Sequence, residues 1–357
     1  MIPATAPSQR PADAKLLVVD ASGHFVEDAR RNLRRYLRDG DLVIANDAAT
    51  LPASLRGVHE PTRAEIEIRL AARHSLAPDD VSKFTAVVFG RGDFHMRTED
   101  RPLPPPMMSG DTLLLGPLHT RVLSVLGHPR LISIGFDGPA DAIWTGLAQH
   151  GRPIQYAHLP EPLALWDVWT VVAGKPAAFE PPSAGFVLNW ETITELHDGG
   201  IEFATITHAA GISSTGDPAL DALLPLDEAY EIPPATARAI DRARSGRRRI
   251  VAIGTSVVRA LEHVASRDGR VRDGAGMATL RIGPSTRLRV VDAIVSGVHE
   301  PETSHYQLLR AFASDDVLRS ADELMERHGY KTHEFGDSVL IELTAHEPEI
   351  FEADLLR

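Results

Sequence analysis

The sequence predicts an α+β protein: a mixed α/β main domain, residues 1–57 plus 175–357, interrupted by an inserted antiparallel β-barrel-like domain, residues 58–174. Three observations predict it. The chain has 357 residues, more than one ordinary hydrophobic core accommodates. Short apolar runs alternate with helical patterns before residue 58 and again from about residue 183, as in a sheet covered by helices. Between these stretches, short runs stopped by Gly, Pro or Asp follow one another at even spacing, the pattern of a barrel or curled sheet.

The elements follow in order. "MIPATAPSQRPADAK" lacks the apolar centre of a signal peptide and reads as a frayed tail. "KLLVVD" is a strand. Val26, Ala29, Leu33 and Leu37 then repeat at helical spacing, with Gly40 as the stop. "DLVIAND" is a buried strand ending in Asn46-Asp47. "AEIEIRL", "KFTAVVFG", "DTLLLG", "HTRVLSVLG" and "RLISIGFDG" are the strands of the insertion, and the proline-rich "RPLPPPMMSGD" is a surface connection, because proline cannot donate to a ladder. Beyond it come a helix "TITELHDGG", a strand "IEFATITH" ending at His208, a strand "LDEAYEIP", and a helix opening at Pro233-Pro234. "RRRIVAIG" is a strand followed by a helix over 256–266, and "TRLRVVDAIVSGVH" reads as one long strand ending at His299. "SHYQLLRAFAS" and "DDVLRSADELMERHG" are helices, and "GDSVLIEL" is the closing strand.

Composition narrows the function classes. Hydrophobic residues make up 43% and charged residues 24%, as in soluble globular proteins. No apolar run reaches the roughly 20 residues of a membrane helix, so no membrane partner is expected. With no cysteine, disulfides, thiolate catalysis and cysteine-ligated zinc are excluded, and a cytoplasmic location fits. The net charge of −12 argues against a broad grip on phosphates, so any nucleic-acid contact is expected to be local.

Four strand ends deliver polar groups: Asn46-Asp47, Thr207-His208, Gly254-Thr255-Ser256 and His299. Ligands of α/β sheets sit beyond strand ends, so these four are expected to converge on one pocket. At "IVAIGTSVVRALEHV" a helix begins near Thr255 or Ser256. Either side chain could simply cap that helix. The free amides and the positive dipole end would also suit an anion or a ribose hydroxyl, with Arg259 one turn on, able to fork a carboxylate. The P-loop lysine and glycine spacing are missing, which disfavours a nucleoside triphosphate. In "LDEAYEI" Glu228 and Tyr230 share a strand face and Glu231 points away, so one carboxylate could be buried and act as a base, or the strand could be a solvated edge. "RSGRRRI" is the only dense basic run, a phosphate contact or a solvated loop. No H-E-x-x-H and no tight His/Asp spacing occurs, so no metal is expected.

These motifs, in this order, resemble the S-adenosylmethionine:tRNA ribosyltransferase-isomerase family of the queuosine pathway. "DGDLVIANDAATLPASLRG" is similar to the family's PGDLLVLNDTRVIPARLxG, "PPSAGFVLN" to APTAGLHFT, and "IVAIGTSVVRALE" to VxAVGTTSVRxLE. "VVDAIVSGVHEPETSHYQLLRAF" resembles VVDxLxTNFHxPxSTLLMLVxAF, and "FGDSVLI" resembles YGDAMLI. The resemblance runs from about Lys15 to Leu343 and implies the barrel-interrupted α/β fold. It further implies transfer of the ribosyl portion of S-adenosylmethionine to a 7-aminomethyl-7-deazaguanine base in tRNA, with release of adenine and methionine. S-adenosylmethionine is then a substrate, and no separate cofactor is expected. The implied catalytic groups are Asp47, His208, Glu228 and His299. Those implied to bind S-adenosylmethionine are Asn46, Tyr230, Gly254, Thr255, Ser256, Arg259 and Asp337.

The departures fall mostly on basic and polar positions. Ala48-Ala49 replace the family's Thr-Arg, and Asp167–Ala173 lack the arginine, glutamine and tyrosines of its RYQTVYA. Leu226-Asp227 stand where a histidine and serine are usual just before Glu228, Ala210–Ser214 where GLGTF is usual, and Glu302 where a lysine is usual. Such changes suit a small cationic ligand better than a polyanion. Besides the family's own reaction they leave two readings open: a paralogue that cleaves S-adenosylmethionine or transfers from it to a small non-tRNA acceptor, and a non-catalytic S-adenosylmethionine-binding protein.

Overall fold

The structure, a computed structural model, describes residues 2–5, 13–301 and 303–344; Glu302 and most of the expected N-terminal tail lie outside the described residues. What is described of that tail is anchored: Ile2–Pro3 pairs in parallel with Lys331–Thr332, and Ala4 is buried beside Leu159, Phe186 and Phe335.

The main domain is a nine-stranded mixed sheet. From one edge its strands are Gly274–Ala278, Glu228–Ile232, Glu202–His208, Leu42–Asn46, Ile250–Ile253, Ala293–Gly297, Ser338–Glu342, Lys15–Val19 and Phe25–Ala29. The four from Glu202–His208 to Ala293–Gly297 are adjacent and mutually parallel, so their carboxyl ends share one sheet edge, about 5 Å apart from neighbour to neighbour. Both faces are covered, which is why these strands read as unbroken apolar runs. Leu42 and Ile44 pack under helices Pro234–Ser245 and Thr255–Asp268, while Val43 and Ala45 face Leu33, Leu37 and Leu196 on the other side.

The insertion is a closed six-stranded barrel, in the order Leu118–Val125, Leu131–Phe136, Lys83–Phe89, Ala64–Ala72, Ser54–His59 and Thr112–Leu115. Its first strand starts at Ser54, so residue 58 falls within that strand. Closure depends on Gly57, where a Cβ would lie 2.1 Å from the carbonyl oxygen of Leu114. Phe84 packs edge-on against Phe136 and Phe179, and Ile143 and Leu147 of helix Ala140–His150 add to the same core. The chain returns to the main domain through Lys175–Ala178, paired in parallel with Ala48–Thr50.

Two element expectations are corrected. The helix expected over 26–37 is an edge strand, Phe25–Ala29, hairpinned onto Lys15–Val19, followed by the 3-10 helix Arg30–Tyr36. Pairing with a neighbour outweighed the helical spacing, and Val26 is 45% exposed on that edge. The long strand ending at His299 is laddered only over Ala293–Gly297. Upstream, the buried Glu262 carboxylate accepts the backbone N–H groups of Arg289, Val290 and Val291, which satisfies them outside any sheet.

Candidate active site

At the shared strand ends lies a cavity of about 700 Å³, lined also by Tyr156–His158 of the segment that leaves the barrel. Asn46 organises the floor. Its Nδ2 donates to the His208 carbonyl at 2.9 Å and to Ser256 Oγ at 3.3 Å, and its Oδ1 accepts the His208 N–H at 3.0 Å. Three strand ends are thus tied by one buried side chain that does not itself line the cavity. Gly254, Thr255 and Ser256 do line it. Gly254 has φ +98° and ψ 151°, a conformation essentially reserved for glycine, and it turns the chain sharply from strand to helix. No side chain caps this helix, so the reading of Thr255 or Ser256 as a cap is set aside, and the helix start lies in the cavity wall.

Arg259 is not turned to a ligand. It donates through Nη1 to Glu228 Oε2, through Nε to the Leu280 carbonyl at 2.9 Å, and through Nη2 to the Leu226 carbonyl at 2.8 Å. The expectation that it forks a ligand carboxylate is corrected, because its fork is built into the wall. The helix Thr255–Asp268 sets this pairing: Arg259 meets Glu228, and one turn on His263 meets the ring of Tyr230, two residues along the facing strand, at 6.0 Å. A helical turn and two strand residues advance by similar lengths, about 5.4 and 6.7 Å, so the two patterns stay in step. Tyr230 is consequently a packing residue outside the cavity.

Glu228 lines the cavity and is 7% exposed. Burial raises its carboxyl pKa, opposed by Arg259 and by the Gly211 N–H, which donates to Oε1 at 2.6 Å. Both oxygens are therefore engaged. His208 stands behind it, fully buried, with Nε2 3.5 Å from Glu228 Oε2 and neither ring nitrogen hydrogen-bonded among the described residues. Burial, then Arg259, pushes the His208 pKa down to about 3, so this contact is between a neutral imidazole and a carboxylate, not an ion pair. His299 lines the cavity, its Nε2 3.0 Å from Ser296 Oγ and its ring stacked on His305 at 4.7 Å. Burial, with His305 and His333 nearby, holds it well below the ordinary value, so it too is neutral.

Besides Tyr230, two more expected site residues lie elsewhere. Asp47 accepts from Thr205 Oγ1 at 2.7 Å and Thr207 Oγ1 at 2.6 Å, and its carbonyl receives the chain returning at Gly174; it does not line the cavity. Its hydroxyl partners lie one strand away, at alternate positions on the same face. Asp337 accepts the backbone N–H groups of Lys15 at 2.6 Å and Lys331 at 2.8 Å, joining two strand starts outside the cavity. The basic run at Arg244–Arg249 sits at the opposite end of strand Ile250–Ile253, where Arg249 is bound to Asp41 and Glu342.

The group that sequence reasoning missed is Glu180. It lines the cavity, accepts the Tyr156 hydroxyl on Oε1 and the Ser213 N–H on Oε2 at 3.1 Å, and burial raises its pKa to about 7. A carboxyl poised near neutrality beside a cavity is equipped to move a proton. Its signal was a single acidic residue between apolar and proline neighbours in "AAFEPP". Tyr156, His158, His305, His333 and Glu334 complete the polar wall.

A family profile described as "Queuosine biosynthesis protein" matches residues 1–341. The S-adenosylmethionine:tRNA ribosyltransferase-isomerase of Carboxydothermus hydrogenoformans is 30% identical over 95% of this chain and 95% of its own. That of Sorangium cellulosum is 32% identical over 95% and 94%, and that of Moorella thermoacetica 29% over 93% and 94%. Among solved structures, an S-adenosylmethionine tRNA ribosyltransferase from Thermotoga maritima has the same fold, with TM-score 0.51 and 23% identity over 95% of this chain and 96% of that one.

Proposed function

The chain belongs to the queuosine biosynthesis protein family, and on that premise we propose that it is an S-adenosylmethionine:tRNA ribosyltransferase-isomerase. It transfers the ribosyl moiety of S-adenosylmethionine to a 7-deazaguanine base in tRNA and releases adenine and methionine. The observation that carries this reading is the composition of the cavity: an uncapped helix start together with several carboxylates, Glu99, Glu180, Glu228 and Glu300 among them. A sulfonium cation is favoured by that acidic wall, and a carboxylate or ribose hydroxyl by the Thr255 and Ser256 amides. The sulfonium charge acidifies the adjacent ribosyl carbon. Glu180 is the group in this site able to accept a proton from it near neutral pH. Neutral His299 and its partner Ser296 offer hydrogen bonds to a sugar hydroxyl without adding positive charge next to the sulfonium. The Arg259–Glu228 pair fixes the wall.

A location in the cytoplasm belongs to the same reading: no helix among the described residues is long and apolar enough to cross a membrane. A second reading, transfer to a small acceptor without tRNA, draws on the −12 charge and on the placement of the Arg244–Arg249 run at the far end of the sheet. Chromatography of reactions containing S-adenosylmethionine decides between them. Adenine release that requires tRNA carrying the aminomethyl-deazaguanine base is expected. Equal release without tRNA would establish the second reading, and ligand binding without release would establish a binding protein.

A further inference from the structure

We propose that His158, His333 and Glu334 form a zinc-type divalent metal site in the cavity wall, with its open coordination position facing the cavity. The ligand atoms of the three side chains all lie within 4.8 Å of one another. His158 Nε2 is already 3.1 Å from Glu334 Oε2, close to the ~3.4 Å separation of two ligands on a tetrahedral zinc with bonds near 2.1 Å. The His333 ring is stacked on His158 at 4.3 Å and 16°. Being exposed, it can rotate the remaining distance without disturbing the core. Two imidazoles and one carboxylate are a donor set suited to a borderline divalent ion, and three protein ligands are the number that leaves one position for an exogenous oxygen. All three residues line the cavity, so that position is directed at the space a bound ligand would fill, where water or a carboxylate or hydroxyl oxygen of the ligand could occupy it. The segments that carry the trio lie on opposite sides of the main domain's sequence. One follows the barrel and the other precedes the last strand, so no local spacing announces the site. The site does not depend on the reaction proposed above.

The test is calorimetric titration of zinc into the full-length protein after chelator treatment and dialysis, with Co²⁺ as a spectroscopic probe of coordination number. One equivalent per chain is expected, together with a visible Co²⁺ spectrum of four- or five-coordinate type. H158A, H333A and E334Q should each weaken binding by ~100-fold or more, since loss of even an outer-sphere partner costs 10- to 100-fold. H197A, at a histidine 90% exposed elsewhere, should bind as the wild type does. Because His333 is exposed, H333A is expected to keep the wild-type circular dichroism and thermal midpoint, so its loss of binding reads directly on the site. Absence of saturable binding, or equal binding by the H158A/H333A double variant, would overturn the proposal.

Discussion

Replacing Glu180 by Gln should stabilise the protein at alkaline pH and leave it nearly unchanged in acid. The carboxyl is 8% exposed, and burial lifts its pKa from 4.5 to about 7. A carboxyl raised in the folded state binds its proton more tightly there than in the unfolded chain. Its contribution is therefore fully present below about 4.5 and is lost as the pH rises through about 7. At about 1.4 kcal/mol per tenfold change in proton affinity, the full loss is about 3 kcal/mol. Glutamine is neutral throughout and can keep the local bonds: its oxygen can accept the Ser213 N–H, and its amide can donate to the Tyr156 oxygen. The tyrosine hydroxyl is then free to donate to the Ser214 carbonyl, 3.1 Å away. Urea denaturation of wild type and E180Q at several pH values measures the difference. It should grow from near zero at about pH 4.5 to about 3 kcal/mol at about pH 8. A difference independent of pH over that range would refute a raised Glu180, and with it the case for Glu180 as the proton acceptor. If Glu180 is that acceptor, E180Q should also lose adenine release while retaining S-adenosylmethionine binding.

Y156F removes a hydrogen bond that lowers the Glu180 pKa, so the acid limb of the activity–pH profile should move to higher pH; an unmoved limb would detach Tyr156 from the chemistry. R259A leaves the buried Glu228 carboxylate without its cation and should cost about 3–5 kcal/mol in urea denaturation, more at high pH than at low. R259A/E228Q should recover part of that loss, because the uncompensated charge is gone; no recovery would mean that Arg259 matters for packing alone.

Much of the fold was legible because burial on both faces writes itself into a strand. "DLVIA" and "IVAI" admit no solvated face, whereas the alternation of "AEIEI" marks a strand with one polar side, where the structure buries Glu67 in ion pairs with Arg69 and Arg101. The helix boundary at Gly254 was legible for the same kind of local reason, whereas "LDEAYEI" left a buried carboxylate and a solvated edge equally open, and packing against Arg259 decided for a buried Glu228. What misled was spacing that two structures share: Val26, Ala29 and Leu33 fit a helix, and only the neighbouring strand Lys15–Val19 decided for an edge strand. The long strand before His299 ended early because a distant side chain, Glu262, took its amides.

The candidate site divides along the same line. The sequence by itself determined which strand ends carry polar groups, that Gly254 starts a helix and that thiol chemistry is absent. Adjacency of the parallel strands then brought Asn46, His208 and Ser256 into contact. Tertiary structure alone decided where the polar groups point and what they bind. It turned Arg259 onto Glu228, sent Asp47 and Asp337 to structural bonds, and assembled Glu180, Tyr156, His158 and His333 from segments far apart in the chain. The physical reason is that hydrogen bonding and desolvation depend on neighbours within a few ångströms. Backbone periodicity reports which face of an element is buried, and says nothing about which side chain from another element meets it there.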